Sequence, residues 1–370
     1  MKIIIDQNIP LANPLFGDLG SLVPLPGRKI TVDDCRDADI LLVRSVTQVS
    51  EHLLKESTVR FVGTCTIGTD HLDIDYLNQR GITWANAPGC NAWAVVQYVL
   101  SAMAILQADW REKTIGIIGC GNIGGRLYRS LKKLGVACYC YDPLLSSDKQ
   151  EDLVDFATVL SADIITCHTP LTQSGQFPSY HLLGAAELAA LCPNTVLINS
   201  SRGPVIDNSA LLVELDKRPL KVALDVWENE PHINEALLRK VALATPHIAG
   251  YSLEGKERGS WMIYQALCDF LSIPISENKL TLLNHEQSLL SVEGPAQLDS
   301  VQLNQLLLAS YDIRIDDGHL RQFDCYGDNR LGEHFDDLRK TYPSRREYSH
   351  FILPEGISSQ VKNDFQILIP

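Results

Sequence analysis

Short apolar runs separated by polar stretches set the rhythm of the first part of the chain: KIIID at 2–6, ADILLVRS at 38–45, RFVGT at 60–64 and GITWAN at 81–86. Unbroken apolar runs, rather than strict alternation, predict strands buried on both faces, as in a parallel sheet whose connections are helical. The apolar segment AWAVVQYVLSAMAIL then predicts a helix over 92–108. It is short for a membrane span and contains Gln97 and Ser101, so it belongs in a core or a subunit interface. Beyond it the strand rhythm restarts with TIGIIG, VACYCYD, DIITCHT, TVLINSS, KVALDV and LATPHI, with helical stretches such as SALLVELDK between them.

This order predicts two α/β domains of similar design, the second a doubly wound parallel sheet. The chain re-enters the first domain near residue 252. Pro274 and the polar SENKL that follows mark a boundary. The expected division is 1–90 with 252–285, then 91–251, then a small third domain over 286–370.

Composition narrows the function. The 370 residues are 45% hydrophobic and 21% charged with a formal net charge of −13, which disfavours nucleic acid or an anionic membrane as the main partner. MKIIID reads as a first strand and not as a secretory leader, so a cytoplasmic protein is expected. Ten cysteines without a C-x-x-C pair suggest buried, reduced thiols.

The strongest motif is TIGIIGCGNIGGRL, where Gly119, Gly121 and Gly124 have G-x-G-x-x-G spacing after a strand and before a helix. Their expected tasks are a tight turn, close approach of backbone to a pyrophosphate, and tight helix–strand packing. The helix N-terminus, with Asn122 and Ile123 entering it, offers N–H groups and a positive dipole end to phosphates. Asp142 closes the next strand at the usual distance for a carboxylate that accepts ribose hydroxyls and repels a 2′-phosphate. NAD is therefore expected over NADP.

Three later strand ends carry polar groups toward the crevice of such a sheet: Arg202 in INSSRGPVID, Asp225 with Glu230 in ALDVWENEP, and His247 in TPHIAG. Oxidation of a secondary alcohol needs a base for the hydroxyl proton, a task suited to histidine beside a carboxylate. An arginine fork suits a substrate carboxylate. TDHLDID contains His71 and several acids, but these read as a helix start, and no metal is expected.

These segments resemble the D-isomer-specific 2-hydroxyacid dehydrogenases. So do LVRSVT, GTDHLD, APGCNAWAVVQYV, CHTPLT and HIAGYSLEGKERG. The resemblance spans essentially the whole chain and is weakest over 286–370. Within the family it points to a branch acting on a small phosphorylated 2-hydroxy acid, with which Tyr251 agrees; Gln97 stands where relatives commonly carry glutamate.

The resemblance implies a catalytic set of Arg202, Glu230 and His247. It implies NAD contacts from Gly119, Gly121, Asn122, Ile123, Gly124, Asp142, Thr169, Asp225 and Gly250. Substrate contacts would come from Ser45, Thr66 and Tyr251, with Arg44 beside them, while Lys256 and Arg258 stay open. It further implies a discontinuous flavodoxin-like substrate domain and an α+β C-terminal domain that forms a homodimer. Another dehydrogenase of the family, such as one acting on phosphoglycerate, and a non-catalytic NAD(H)-sensing interaction protein share this fold and remain alternatives.

Overall fold

Five parallel strands form the first of two large sheets: β1 (Lys2–Asp6), β2 (Ser21–Leu25), β3 (Ile40–Val43), β4 (Phe61–Thr64) and β5 (Thr83–Ala85), in the order β2-β1-β3-β4-β5. The computed structural model describes residues 1–146, 152–292, 294, 298–323 and 330–369. The chain divides into one unit of Met1–Asn91 with Ser252–Glu286 and another of Ala92–Tyr251 with Gln287–Pro370.

In the first unit both sheet faces are covered. Ile3, Ile5, Leu42 and Phe61 pack with Ile263, Tyr264 and Leu267 of the Leu253–Leu271 helix. Ile4, Leu41, Val43 and Val62 pack with Leu53, Leu54 and Leu77. Alternate residues of one apolar run thus serve opposite faces. The apolar rhythm misses β2, which contains Pro24. Because β2 is an edge strand, the absent proline N–H breaks no ladder on its outer side. TDHLDID is a helix start as expected: Asp73 caps the Ile74–Gln79 helix and Asp75 lies in its first turn.

The second sheet contains β6 (Ile115–Ile118), β7 (Cys138–Tyr141), β8 (Ile164–Cys167), β9 (Val196–Asn199), β10 (Lys221–Leu224) and β11 (Leu243–Ala244). All are parallel, in the order β11-β10-β9-β8-β6-β7. The strand order reverses between β6 and β8, so a ligand crevice is expected beyond their carboxyl ends.

The Ala92–Leu106 helix is buried on all sides and packs against β9, the Gly124–Lys133 helix and the Asp299–Ser310 helix. Its two polar interruptions have structural partners. Gln97 Nε2 donates to Arg346 O at 3.0 Å, and Ser101 Oγ donates to Tyr311 O at 2.8 Å while accepting from Ile313 N. The C-terminal apolar residues Leu303, Leu306, Leu307, Phe365 and Leu368 complete this same core. A short parallel pair, β12 (Ser288–Leu289) and β13 (Phe351–Ile352), closes the segment. No helix of the described residues is long and apolar enough to cross a membrane.

One cysteine expectation is corrected. Cys120, in the turn after β6, and Cys140, on the adjacent β7, form a disulfide with Cα atoms 6.3 Å apart. Neighbouring parallel strands bring the two within bridging reach although neither belongs to a C-x-x-C pair. Six of the other described cysteines are buried thiols and Cys192 is exposed; Cys325 lies outside the described residues.

Candidate active site

The glycine turn divides its tasks as the spacing predicts. Gly119 has φ +88°, and a Cβ there would meet His168 backbone at 2.9 Å, so only glycine suits the turn. A Cβ on Gly124 would lie 2.0 Å from Gly119 O, which places helix hard against turn. A Cβ on Gly121 would meet nothing within 4 Å: the space beside it is open. The Gly124–Lys133 helix has no side-chain N-cap, leaving its amino end to a ligand or solvent.

Asp142 Oδ2 accepts from Cys120 N at 2.9 Å and Oδ1 from Leu144 N at 3.1 Å, which fixes the carboxylate beside the turn. Each oxygen retains a lone pair for a ribose hydroxyl. At the end of β8, Thr169 Oγ1 is buried without a hydrogen-bond partner among the described residues. An orphaned hydroxyl, an open glycine and an uncapped helix end, all at the switch point, fit a dinucleotide. Asp142→Ala should raise the Kd for NAD about tenfold and leave that for NADP unchanged or lower, as calorimetry would show. Equal wild-type affinity for the two cofactors would contradict the role.

Asp225 is buried at the end of β10 and grips the loop that carries the histidine. Oδ1 accepts from Ile248 N (2.8 Å) and Thr245 Oγ1 (2.7 Å), and Oδ2 accepts from Ala249 N (2.9 Å). His247 N donates to Asp225 O at 2.7 Å. His247 itself has φ +56°, a left-handed conformation costing a non-glycine residue about 1–2 kcal/mol. Gly250 follows in the same loop, and Tyr251 N donates back to Ile248 O at 2.8 Å.

The His247 side chain meets Glu230, with Nδ1 2.7 Å from Oε2. The other carboxylate oxygen accepts from Trp227 N at 2.9 Å, and Trp227 Nε1 is anchored to Thr245 O. Burial opposes the charge on Glu230. The His247 charge and hydrogen bond, the Trp227 amide and the Arg339 guanidinium outweigh it and hold the carboxyl below its ordinary value. His247 is one-third exposed at its side chain. His168, just beyond β8, is buried, and desolvation pushes its pKa down to about 3, so it stays neutral at physiological pH.

Arg202 lies just beyond β9, its Nη1 donating to Ser201 O and its carbonyl accepting from Asn199 Nδ2. A Cβ on the next residue, Gly203, would lie 1.9 Å from Trp227 O, so the Arg202 turn and the Trp227–Glu230 segment touch through backbone. His181 braces the same region, with Nε2 2.6 Å from Glu228 Oε1 and Nδ1 3.6 Å from Asp207 Oδ2. Its own N–H donates to Pro204 O. Three segments distant in sequence are thereby held together.

In the first unit Ser45 is exposed at the end of β3. Thr66 Oγ1 lies 2.8 Å from Thr64 Oγ1 and donates to Gly68 O. Arg44 spends its fork on the buried Asp6, with Nε–Oδ2 at 2.9 Å and Nη2–Oδ1 at 3.3 Å. Arg258 Nε donates to Cys90 O, and Lys256 is exposed on the Leu253–Leu271 helix.

A residue absent from the sequence reading adjoins the histidine loop. Arg339, on the Leu331–Lys340 helix, donates from Nη2 to Tyr251 Oη at 3.3 Å. A gap of 88 residues separates them, and no motif marks the arginine.

Residues 91–249 match the family described as D-isomer specific 2-hydroxyacid dehydrogenase, NAD binding domain. Residues 283–366 match a domain of unknown function, DUF3410. The chain belongs to the D-isomer specific 2-hydroxyacid dehydrogenase family, and the cofactor of the matched domain is NAD. It is 49% identical over 356 residues to a Cellvibrio japonicus protein named erythronate-4-phosphate dehydrogenase, covering 95% of this chain and 94% of that one. A Marinobacter nauticus protein of the same name is 44% identical over 379 residues, covering 100% and 98%. Among solved structures, NAD+-bound 3-phosphoglycerate dehydrogenase of Entamoeba histolytica has a TM-score of 0.65 at 23% identity, covering 74% of this chain and 95% of that one. D-lactate dehydrogenase of Aquifex aeolicus, complexed with NAD and lactic acid, has a TM-score of 0.63 at 21% identity, covering 74% and 96%. The structures share the fold; the names at higher identity bear on the substrate.

Proposed function

We propose that this chain oxidises 4-phospho-D-erythronate to 3-hydroxy-2-oxo-4-phosphooxybutanoate with NAD, a step of pyridoxal 5′-phosphate (pyridoxine) biosynthesis. The observation that carries the chemistry is the 2.7 Å contact of His247 Nδ1 with Glu230. The near-complete coverage of relatives named for this substrate supports the choice of acid.

NAD supplies the hydride acceptor when bound, and the remaining work falls to the chain. An ionised Glu230 keeps the proton on Nδ1, so Nε2 presents a lone pair that takes the C2 hydroxyl proton. The left-handed turn, tied to Asp225, sets where that ring points. Arg202 holds the substrate carboxylate and orients the carbon that loses hydride. Gly119, Gly121, Asn122, Ile123, Gly124, Asp142 and Thr169 are the proposed cofactor residues, with Gly250. Asp225 joins them through the lone pair left on Oδ2.

Ser45, Thr66 and Tyr251 are the proposed substrate contacts. Arg44 has a smaller part, because Asp6 already occupies its fork. The functional division follows the sequence: 1–90 with 252–285 for substrate, 91–251 for NAD, 286–370 for dimerisation, in a cytoplasmic enzyme. Purified protein should reduce NAD with 4-phospho-D-erythronate and be at least about a hundredfold less efficient, in kcat/KM, with 3-phosphoglycerate. NAD binding without turnover would favour a sensor, and the reverse preference a phosphoglycerate enzyme.

The homodimer has a specific support. The described residues of the runs LNQLLLASY and FQILIP bury much of their apolar surface within their own unit. Leu289 (66% exposed), Leu298 (69%) and Ile352 (50%) remain uncovered on the same C-terminal segment. Light scattering should give the mass of two chains at micromolar concentration, and Leu289→Asp with Ile352→Asp should shift it toward one. A monomeric wild type would contradict the dimer.

A further inference from the structure

Arg339 is distinguished among the arginines of its unit by its contact with the Tyr251 phenol, beside the His247 loop. Arg345 donates to the carbonyls of Ala94 and Ala249 and lies over the Tyr311 ring, 4.3 Å from its centroid, although its Nε and Nη1 are buried without hydrogen-bond partners. Arg321 is matched by Asp317 and by the carbonyls of Leu238 and Val241. Arg339 forms no ion pair among the described residues. Its guanidinium lies 6.0 Å from the Tyr251 ring centroid and 5.9 Å from that of Phe335. Its Nε is buried without a hydrogen-bond partner. A largely buried guanidinium with an unmet donor and aromatic walls is costly unless an anion completes it.

Tyr251 makes that anion specific. The Tyr342 ring meets it edge-on at 5.7 Å and 84°, so the phenol that touches Arg339 is held by packing. Tyr251 also lies four residues beyond His247, on the loop that presents the base to C2 of the substrate. A four-carbon 2-hydroxy acid bound with C2 at His247 carries its phosphate at the opposite end from its carboxylate. That phosphate bears about −1.5 to −2 charges at neutral pH and suits an arginine fork with a hydroxyl donor beside it.

We infer that Arg339, together with Tyr251, binds the distal phosphate of the substrate and so determines preference for a phosphorylated acid. The inference rests on the proposed reaction and adds to it a specificity residue from the C-terminal segment. The competing role is electrostatic support of Glu230, whose charge Arg339 also favours. That role would alter the pH profile for every substrate alike.

The test compares kcat/KM for 4-phospho-D-erythronate and for unphosphorylated D-erythronate in wild type, R339K, R339M and Y251F. R339M should lower the phosphorylated-to-unphosphorylated ratio by about 10- to 100-fold, chiefly through KM. R339K should fall between, since an ammonium keeps the charge but loses the fork. Y251F should lower the ratio less than R339M. Inorganic phosphate should inhibit wild type competitively and R339K more weakly, a readout that survives if R339M does not fold. A ratio unchanged in R339K and R339M, or a shifted acid limb on both substrates with equal losses, would overturn the inference while leaving the proposed reaction intact. A wild type with no preference for the phosphorylated acid would overturn both.

Discussion

Replacing His247 by Gln lowers the rate of hydride transfer by about 10²- to 10⁴-fold, the usual range for losing a positioned general base. NAD affinity should stay near the wild-type value, because the glycine turn, Asp142 and Thr169 lie on other strands. His168, just beyond β8, is no substitute: it is buried with a pKa of about 3, and its Nε2 is engaged with Thr166. Single-turnover NADH formation, measured with saturating NAD, separates this loss from weakened binding. A near-normal rate in the variant would return His247 to a structural role.

Glu230→Gln is expected to cost on the order of 10³-fold, approaching wrong-tautomer losses seen in serine hydrolases. The amide is nearly isosteric and can still accept from Trp227 N with its oxygen. Its NH2 then faces His247 Nδ1, which must accept instead of donate. The imidazole proton moves to Nε2, where a lone pair was needed. Protein stability adds a second signature. The Glu230 carboxyl is held below its ordinary value in the folded chain. Its contribution to stability is therefore full above the unfolded carboxylate pKa of about 4.3 and is lost as pH falls through the lower folded value. The variant should lose that part of the acid transition as well as activity. Unchanged activity with a flattened acid transition would make Glu230 a structural ion-pair partner only.

Much of the fold was legible because most strands are continuous apolar runs, the pattern of a parallel sheet covered on both faces. β2 was not, since its residues are all exposed or half-buried and Pro24 reads as a break until the strand is seen at an edge. The geometry of the glycine turn was legible, because local spacing alone sets the positive φ of Gly119, the tight packing of Gly124 and the open space at Gly121. Arg202, Glu230 and His247 could be proposed from strand ends, but their mutual placement depends on Gly203 touching Trp227 and on Asp225 gripping the His247 loop. Those are tertiary contacts between separate strands. Arg339 was invisible for the same reason, as an ordinary cation on a polar helix far along the chain. The C-terminal apolar runs LNQLLLASY and FQILIP call for burial, and their described residues fill the core around the Ala92–Leu106 helix. An apolar run announces burial without naming its partner.

The measurement closest to the central claim, oxidation at C2 by hydride transfer to NAD, uses 4-phospho-D-erythronate deuterated at C2. Purified protein, NAD and this substrate should yield NADH that carries the deuterium, with none passing to solvent, as mass spectrometry of the isolated NADH would show. Tight NAD binding with no NADH formed, or NADH formed without the label, would contradict it.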